Sequence, residues 1–587
     1  MRLDPPFVLL DDARDGDAGA RLYTRPVRIV SAASVDQVRP ALAALRAAGR
    51  EGLHAAGWLA YEAGAALVDR APAGEAAGPL LWFGLFDGYR TLPRDAVPAL
   101  LPDPAGTWAG APRPAIDRDV YDERLTRVLT LIEAGDIYQA NLTFQAEVPF
   151  AGHPHALYAR LRQASAAGYS ALIDTGERQL LSLSPELFVT LEGGALTCRP
   201  MKGTASRGAD PDADAALAAG LAHDAKQRAE NLMIVDLMRN DLSRVAAPAS
   251  VAVPALFTVE SYPTIHQMTS AVTARLAAGR DAVDVVEALF PCGSITGAPK
   301  QRAMEVIAEV EEGPRGAYTG AIGRFDADGD AMFNVAIRTL TIAGGRATMG
   351  LGSGIVADSE ADAEWSECLA KGAFLTAHAR PLDLIETMAF DPEDGIVLLE
   401  RHLARMKDSA ARLGFRFNRH LARNELQAAT FRLREAAKVR LLLARSGAFA
   451  VEIAPPPPPV ARAEVAVVPL PVASADFRLR HKTSDRAFYD AARVGAGTFE
   501  AVFEDADGFL TEGSFSSLFV PRGDALVTPP LARGLLPGVL RAELIADGRA
   551  VEGDVTRADL ASGFFIGNAV RGLIPAVLAV AEPAAPR

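Results

Sequence analysis

A chain of 587 residues is long enough for about four units at roughly 150 residues each, and its 49% apolar and 23% charged residues are an ordinary globular composition. That balance excludes a disordered or fibrous protein for the bulk of the chain. A net charge of -13 argues against nucleic acid or a membrane surface as general partner, because either wants a basic face; it leaves open an anionic small substrate in a locally basic pocket. Three cysteines without a CxxC pair argue against a disulfide framework or a cysteine-rich zinc site, and stability at this length needs neither. The first 17 residues carry acids and no apolar core, so no signal peptide is expected there, and no run approaches 18 apolar residues. The expectation is a soluble, cytoplasmic, multidomain enzyme.

In chain order, short strand-like and alanine-rich helical runs alternate up to about residue 115, with LLWFGLFDGY (80–89) reading as a buried strand. Residues 121–134 have the spacing of an amphipathic helix. Residues 170–200 alternate and turn at glycine pairs, which predicts successive strands. Helices are expected at 226–244 and 299–311, the second with Pro299 in its first turn. AMFNVAIRTLTI and GRATMGLGSGIV look like a strand pair, which places Arg338 in a strand; 360–379 reads as a helix. No short repeat is present. The pattern is α+β with many antiparallel strands rather than a regular βαβ alternation. Two stretches punctuate it: residues 379–382 (ARPL), and the run Pro455 to Pro459, a stiff spacer without helix or sheet hydrogen bonding.

Four features of the first half bear chemistry. Glu230 lies on one helix, and Glu364 and Glu367 lie three apart on another, so they share a face and could hold Mg2+; an isolated ExxE is ordinarily a solvated surface. Lys202 stands between a strand and a loop in PMKGTASRG. Among apolar strands its pKa would fall and its amine become nucleophilic, whereas a surface lysine would do nothing. Glu186, in SLSPELF, could protonate a leaving hydroxyl, or simply end a turn after Pro185. The glycine-rich segments PCGSITGAPK and GLGSGIV expose backbone N–H groups suited to a carboxylate. Arg338 could add a bidentate pair, and His266 is a substrate contact or a satisfied core histidine.

In this order the stretches GDIYQANL, SLSPELF, RPMKGT, AENLMIVDLMRNDLSRV, LFPCGSITGAPKQRAMEVI, GAYTGAIG, IRT and GSGIVADSEADAEWSE resemble the chorismate-utilising enzymes, over residues 1–380. The resemblance implies a large domain with an antiparallel β-sandwich core. It implies Mg2+ on Glu230 and Glu367, with Glu364 acting through water. Arg338, Tyr318, Gly352 and Gly354 would hold the enolpyruvyl carboxylate, while Ser294 of the GSITG loop and His266 would flank the ring end. Within the family, water-using members carry a basic lysine where this chain has Gln139, so ammonia is the expected nucleophile. Anthranilate synthases carry alanine where this chain has Lys202; lysine marks the aminodeoxychorismate branch. There Lys202 attacks ring C2 as the C4 hydroxyl departs with help from Glu186, and ammonia then takes C4.

From 381 onward the helix within LIETMAFDPEDGIVLLERHLARMKDSAARLGF carries His402 and Arg405 near its middle. LRHKTSDRAFYDAAR, GFLTEGSFSSLFV, TPPLARGLLPGVLR and GFFIGNAVRGLIPA follow. Lys482 is a candidate Schiff-base lysine or a surface lysine. Glu512 could keep a pyridine nitrogen protonated. These segments resemble the branched-chain-aminotransferase-like (class IV) pyridoxal-phosphate enzymes, which implies a two-lobed α/β domain over 381–587: a small lobe at about 381–454, a linker at 455–460 and a large lobe at about 461–587. By motif, Lys482 carries the cofactor, Glu512 meets its ring nitrogen, and Arg405 binds its phosphate. Backbone at Gly538, Val539, Asn568 and Ala569 completes the cup. GVLR lacks the threonine of GITR, which puts a side-chain phosphate contact there in question. Arg486 is lyase-like where transaminases carry a tyrosine nearby.

The two resemblances together imply 4-aminobenzoate synthesis for folate, from chorismate and ammonia by way of 4-amino-4-deoxychorismate. They imply a glutamine amidotransferase subunit as ammonia source, because none of the three cysteines stands in a nucleophile elbow, and a homodimer through the second half. The rival reading is an anthranilate synthase component fused to a D-amino-acid or branched-chain aminotransferase-like domain.

Overall fold

The computed structural model describes residues 3–14, 19–261, 265–377 and 381–579. It divides into two packed units: Met1–Leu101, Ala111–Val148 and Tyr158–Ala377 form the first, and Pro102–Gly110, Pro149–Leu157 and His378–Arg587 the second. The packing therefore does not divide at one point of the chain. Of the expected junction 379–382, residues 379 and 380 lie outside the described residues.

The first unit holds two 10-stranded antiparallel sheets. One includes Phe7–Asp11, Gln139–Val148, Tyr169–Asp174, Arg178–Ser184, Thr339–Ala343 and Arg346–Ile355; the other includes His54–Leu59, Leu81–Phe86, Leu187–Glu192, Met201–Ser206, Ile265–Arg275 and Ala331–Val335. Strand alternation puts Val8, Leu10, Ala171, Ile173 and Leu180 of the first against Trp58, Trp82, Phe86 and Ile322 of the second, a sandwich core. The opposite face of the second sheet is covered by helices Val35–Arg50, Ala225–Ser243 and Ala282–Leu289, in a cluster that includes Leu42, Phe83, Phe333, Ile234 and Val286. Asp224 caps Ala225–Ser243 by accepting from the Gln227 N–H at 2.9 Å.

Two elements depart from the sequence pattern. AMFNVAIRTLTI is not one strand but two, in different sheets, and only its second part, Thr339–Ala343, pairs with Arg346–Ile355. Arg338 is therefore not in a strand: it sits at the crossing, with φ of 47°, because three residues must carry the chain from one sheet to the other. The helix expected at 360–379 spans Ala361–Ala370 and stops before Gly372, followed by a short turn at Ala373–Leu375. The proline at 299 precedes the helix Lys300–Val310 as its cap residue rather than entering its first turn.

In the second unit a four-stranded antiparallel sheet built on Leu384–Asp391 and Ala437–Leu443 packs on helices Leu399–Leu413 and Arg419–Thr430. Trp108 joins this core beside Leu384, Met388 and Phe477. An eight-stranded sheet follows, in which Leu510–Gly513 pairs with both Glu500–Glu504 and Ser517–Arg522. That double pairing closes the strands Leu510–Gly513, Glu500–Glu504, Ala463–Pro469, Gly572–Leu578, Phe564–Asn568 and Ser517–Arg522 into a small barrel. The prolines 455–459 lie between the last strand of the smaller sheet, Phe449–Ala454, and the first of the larger, Ala463–Pro469.

Candidate active sites

In the first unit a cavity of about 480 Å³ opens where the chain passes between the two sheets. Glu186 and Arg338 reach it from sheet-to-sheet crossings, Lys202 from the strand Met201–Ser206, and Glu230 from the covering helix. Glu364 and Glu367 reach it from Ala361–Ala370, and Ser294 from the glycine-rich turn. Tyr318, Gly352 and Gly354 also stand on its wall, whereas Gln139, expected with them, is fully buried and does not line it. The glycines are needed for room. A Cβ at Gly350 would lie 1.9 Å from the Tyr318 ring, and one at Gly354 would lie 2.7 Å from Lys202 Nζ and 2.8 Å from Gln139 Nε2. Lys202 and Gln139 thus face the same point. Gln139 is fully buried and neither of its amide atoms has a hydrogen-bond partner. A buried polar group without a partner is costly, so this amide suits a polar ligand.

Glu186 is buried and accepts a 2.8 Å hydrogen bond from the Ser294 hydroxyl. Burial pushes its pKa up to about 7, against the opposing pull of Ser294 and Lys202. It is a carboxyl group able to give up a proton near neutrality. The surroundings of Lys202 differ from the apolar strands the sequence suggested. Its side chain is 20% exposed and its Nζ lies 3.6 Å from Glu230 Oε2, because the covering helix lays a carboxylate over the strand.

Each of the three acids has a partner. Lys371 Nζ lies 2.7 Å from Glu367 and donates to the Gly352 carbonyl at 2.9 Å; Glu364 accepts from Ser359 at 2.7 Å. Among the described residues no three acidic, histidine or cysteine side chains converge on one point. Burial raises Glu230, Lys202 and Lys226 pull it down, and the Glu367 charge raises it further. For Glu367 burial is outweighed by Lys371, so its pKa falls. Two mutually repelling carboxylates on separate helices are a donor set that a hard divalent cation suits, once the lysines yield. Lys226 and Lys371 were not singled out from the sequence, although they stand four residues from Glu230 and Glu367 on the same helix faces, a spacing that flags such pairs.

His266 does not line the cavity. Its ring is held by Asp214 at 2.8 Å and Ser261 at 2.9 Å, and strand alternation gives the cavity wall to Gln267 instead. Residues 262–264 of its motif lie outside the described residues.

In the second unit a cavity of about 130 Å³ is lined by all eight residues expected there: Lys482, Glu512, Arg405, Arg486, Gly538, Val539, Asn568 and Ala569. Burial, aided by Arg486 and Arg405, lowers the Lys482 amine to about 7. Glu512 is buried on the barrel strand Leu510–Gly513, and burial pushes it up to about 7. Arg405 is clamped by Glu386, donating from Nε at 2.9 Å and from Nη2 at 2.6 Å, while its Nη1 donates to the Pro537 carbonyl at 3.0 Å. N–H groups on both terminal nitrogens remain for an anion. The helix Val539–Ala546 starts at Gly538 without a side-chain cap, so its first N–H groups point at the cavity. A Cβ at Gly538 would meet the Ser517 hydroxyl at 2.4 Å. The Asn568 side chain is used locally, accepting from Val570 and Arg571 N–H and donating to the Phe515 carbonyl, which fixes the turn whose backbone faces the cavity. The sequence did not flag Glu386. Buried as it is, it is held down to about 2 by Arg405 and His402. An uncapped helix start, a lysine, two arginines and a buried carboxylate fit a phosphate-bearing aldehyde cofactor.

Residues 5–377 match the family described as chorismate binding enzyme, and residues 383–578 match amino-transferase class IV. The chain is 46% identical over 265 residues to aminodeoxychorismate synthase component 1 of Klebsiella aerogenes, covering 45% of this chain and 59% of that protein. It is 43% identical over 262 residues to anthranilate synthase component 1 of Streptomyces coelicolor, covering 44% of this chain and 51% of that protein. The chain thus spans little more than half the length of these curated relatives. The crystal structure of anthranilate synthase component I from Streptococcus pneumoniae TIGR4 superposes with a TM-score of 0.54 at 26% identity, over 64% of this chain and 93% of that one.

Proposed function

The chain belongs, through residues 5–377, to the chorismate binding enzymes, and from that premise we propose that it makes 4-aminobenzoate from chorismate in two steps, one in each half. The observation that carries this reading is the meeting of Lys202 and Gln139 over Gly354. Overall identity does not separate the relatives, since one named for aminodeoxychorismate and one named for anthranilate differ by only a few per cent. Two side chains at the site favour the first of them. Gln139 has no basic nitrogen with which to activate water, which favours ammonia. Lys202 supplies an amine where a single-displacement enzyme needs none.

In the first step the Lys202 amine bonds to ring C2, the double bonds shift, and the C4–O bond breaks. The departing oxygen takes its proton from Glu186, which the Ser294 hydroxyl orients. Ammonia then bonds to C4, the double bonds shift back, and the bond between C2 and Lys202 breaks. Arg338, Tyr318 and the glycine wall orient the carboxylates. Glu230 and Glu367, with Glu364, would hold Mg2+, whose charge supports anionic substrate groups. All three cysteines are buried and burial raises each thiol, the opposite of a nucleophilic cysteine. Ammonia therefore comes from a glutamine amidotransferase subunit or from solution.

In the second step pyridoxal phosphate, when bound, supplies the electron sink. Lys482, lowered toward neutrality, moves the proton from the substrate's C4. Glu512 would face the ring nitrogen, and Arg405 with the Gly538–Val539 backbone would hold the phosphate. Loss of the enolpyruvyl group as pyruvate leaves an aromatic ring.

Incubating the protein with chorismate, ammonium, Mg2+ and pyridoxal phosphate should yield 4-aminobenzoate and pyruvate by chromatography. Anthranilate as product overturns the reading of the first half. Aminodeoxychorismate as the final product overturns that of the second.

A further inference from the structure

Tyr489 lies outside the cavity lining and has no part in the steps above. Its side chain is 1% exposed and its hydroxyl donates a 2.6 Å hydrogen bond to Glu512 Oε1. The ring packs on Phe503 and Phe488, which fixes the hydroxyl's aim. The Arg486 guanidinium lies over the same ring, 4.3 Å from its centre, and donates to the Ser514 carbonyl at 3.1 Å. Arg486, Tyr489 and Glu512 therefore form one stack, with a cation at one end and a carboxyl group at the other.

A carboxyl group buried this deeply favours its neutral form, and a neutral acid cannot hold a protonated ring nitrogen. Something must keep the charge on Glu512. The groups facing it are Tyr489, Arg486, the Leu536 N–H and Lys482, and each of them favours the anion; the Tyr489 hydrogen bond stands first among them. A hydrogen bond from a neutral hydroxyl to a carboxylate is of the stronger, charge-assisted kind. Phenylalanine at 489 would fill the same space and omit only that donor.

We infer that Tyr489 is a positioning residue of the second site: its hydroxyl holds Glu512 as an anion, so that the proton shared with the cofactor's ring nitrogen stays on the nitrogen. This rests on the reading that Glu512 meets that nitrogen. Without the Tyr489 donor the proton passes to the carboxylate, the ring becomes neutral, and it withdraws electrons less well.

The test is nitrogen NMR of the 587-residue chain loaded with pyridoxal phosphate labelled with 15N in its ring. The parent should show a protonated nitrogen. Tyr489→Phe should move the signal toward neutral pyridine, with turnover of aminodeoxychorismate falling about tenfold through kcat rather than KM. Site-specific 3-fluorotyrosine at position 489, a stronger donor in the same volume, should keep the nitrogen protonated to higher pH and covers the case in which Tyr489→Phe does not fold. An unchanged signal in a folded Tyr489→Phe, or an unmoved titration with the fluorinated side chain, overturns the inference. Glu512→Gln separates the two levels of the argument: if that variant leaves the nitrogen signal where the parent has it, Glu512 does not meet the ring nitrogen and the reading beneath the inference fails.

Discussion

The two halves each present a lysine to a cavity, and they treat it in opposite ways. Lys202 is met by a carboxylate, Glu230, at 3.6 Å. Lys482 opens onto a cavity among cations, with Arg486 and Arg405 adding to burial to lower it to about 7. The first arrangement holds the amine beside a carboxylate that a substrate or metal ion can draw away. The second makes the neutral amine the resting form at modest pH. On the proposed roles the contrast makes sense: an amine that attacks once and leaves again can be held by an ion pair, and one that shuttles protons near neutrality needs its proton affinity set by its surroundings.

The sharpest way to break the comparison is to remove each lysine. Lys202→Ala should abolish 4-aminobenzoate formation from chorismate, while supplied aminodeoxychorismate is still converted. Lys482→Ala should do the reverse and accumulate aminodeoxychorismate. Chromatography of the products decides it, and full activity of Lys202→Ala on chorismate would exclude a covalent role.

A smaller effect concerns the acid beside the first lysine. Ser294→Ala removes one hydrogen bond to a charged or half-charged group, so the first step should slow about tenfold, and the limb of its pH profile above neutrality should move to higher pH because Ser294 holds Glu186 down. The second step should not change.

The smallest effect is on stability, and its sign differs between the halves. Glu186 is raised above its unfolded value, so the folded state binds more protons between about pH 4.5 and 7, and stability is lost as pH rises through that window. The gain in Tm from Glu186→Gln should therefore grow from pH 5 to 7. Lys482 is lowered, so the unfolded state binds more protons from about pH 7 to 10, and stability returns as pH rises there. The gain in Tm from Lys482→Met should shrink across that range. Measurements on the cofactor-free protein that show the same trend for both variants would erase the contrast.

Most of the residues that line the two cavities were legible because they stand in short, distinctive segments. Glu186, Lys202, Glu230, Lys482 and Glu512 could be read directly as chemical types in a fixed local setting. What escaped depends on where the backbone turns. Arg338 reads as a strand residue because alternation does not mark a change of sheet; only the positive φ at the crossing does. His266 and Gln267 are equally polar neighbours, and the register with Ala205 and Thr204 decides which of them faces the cavity. Tyr489 looks like a core aromatic, and it is one, except for its single oxygen. Glu500 is similar: it is buried, and it accepts from Ser514, Phe515 and Ser516 N–H or O–H groups to hold the loop under the second cavity.

The segments Pro102–Gly110 and Pro149–Leu157 pack with the second unit, and Trp108 sits in its core. A designer who wants the halves as separate proteins meets this at once. Cutting the gene near codon 380 would strand a tryptophan on one fragment and leave a hole for it in the other, so each product would start with an apolar defect of about the size of a large-to-small core substitution, some 3–5 kcal/mol. The division the packing allows moves 102–110 and 149–157 to the second fragment and leaves 111–148 with the first, which no single cut can give. In that sense the polypeptide is stitched rather than joined end to end.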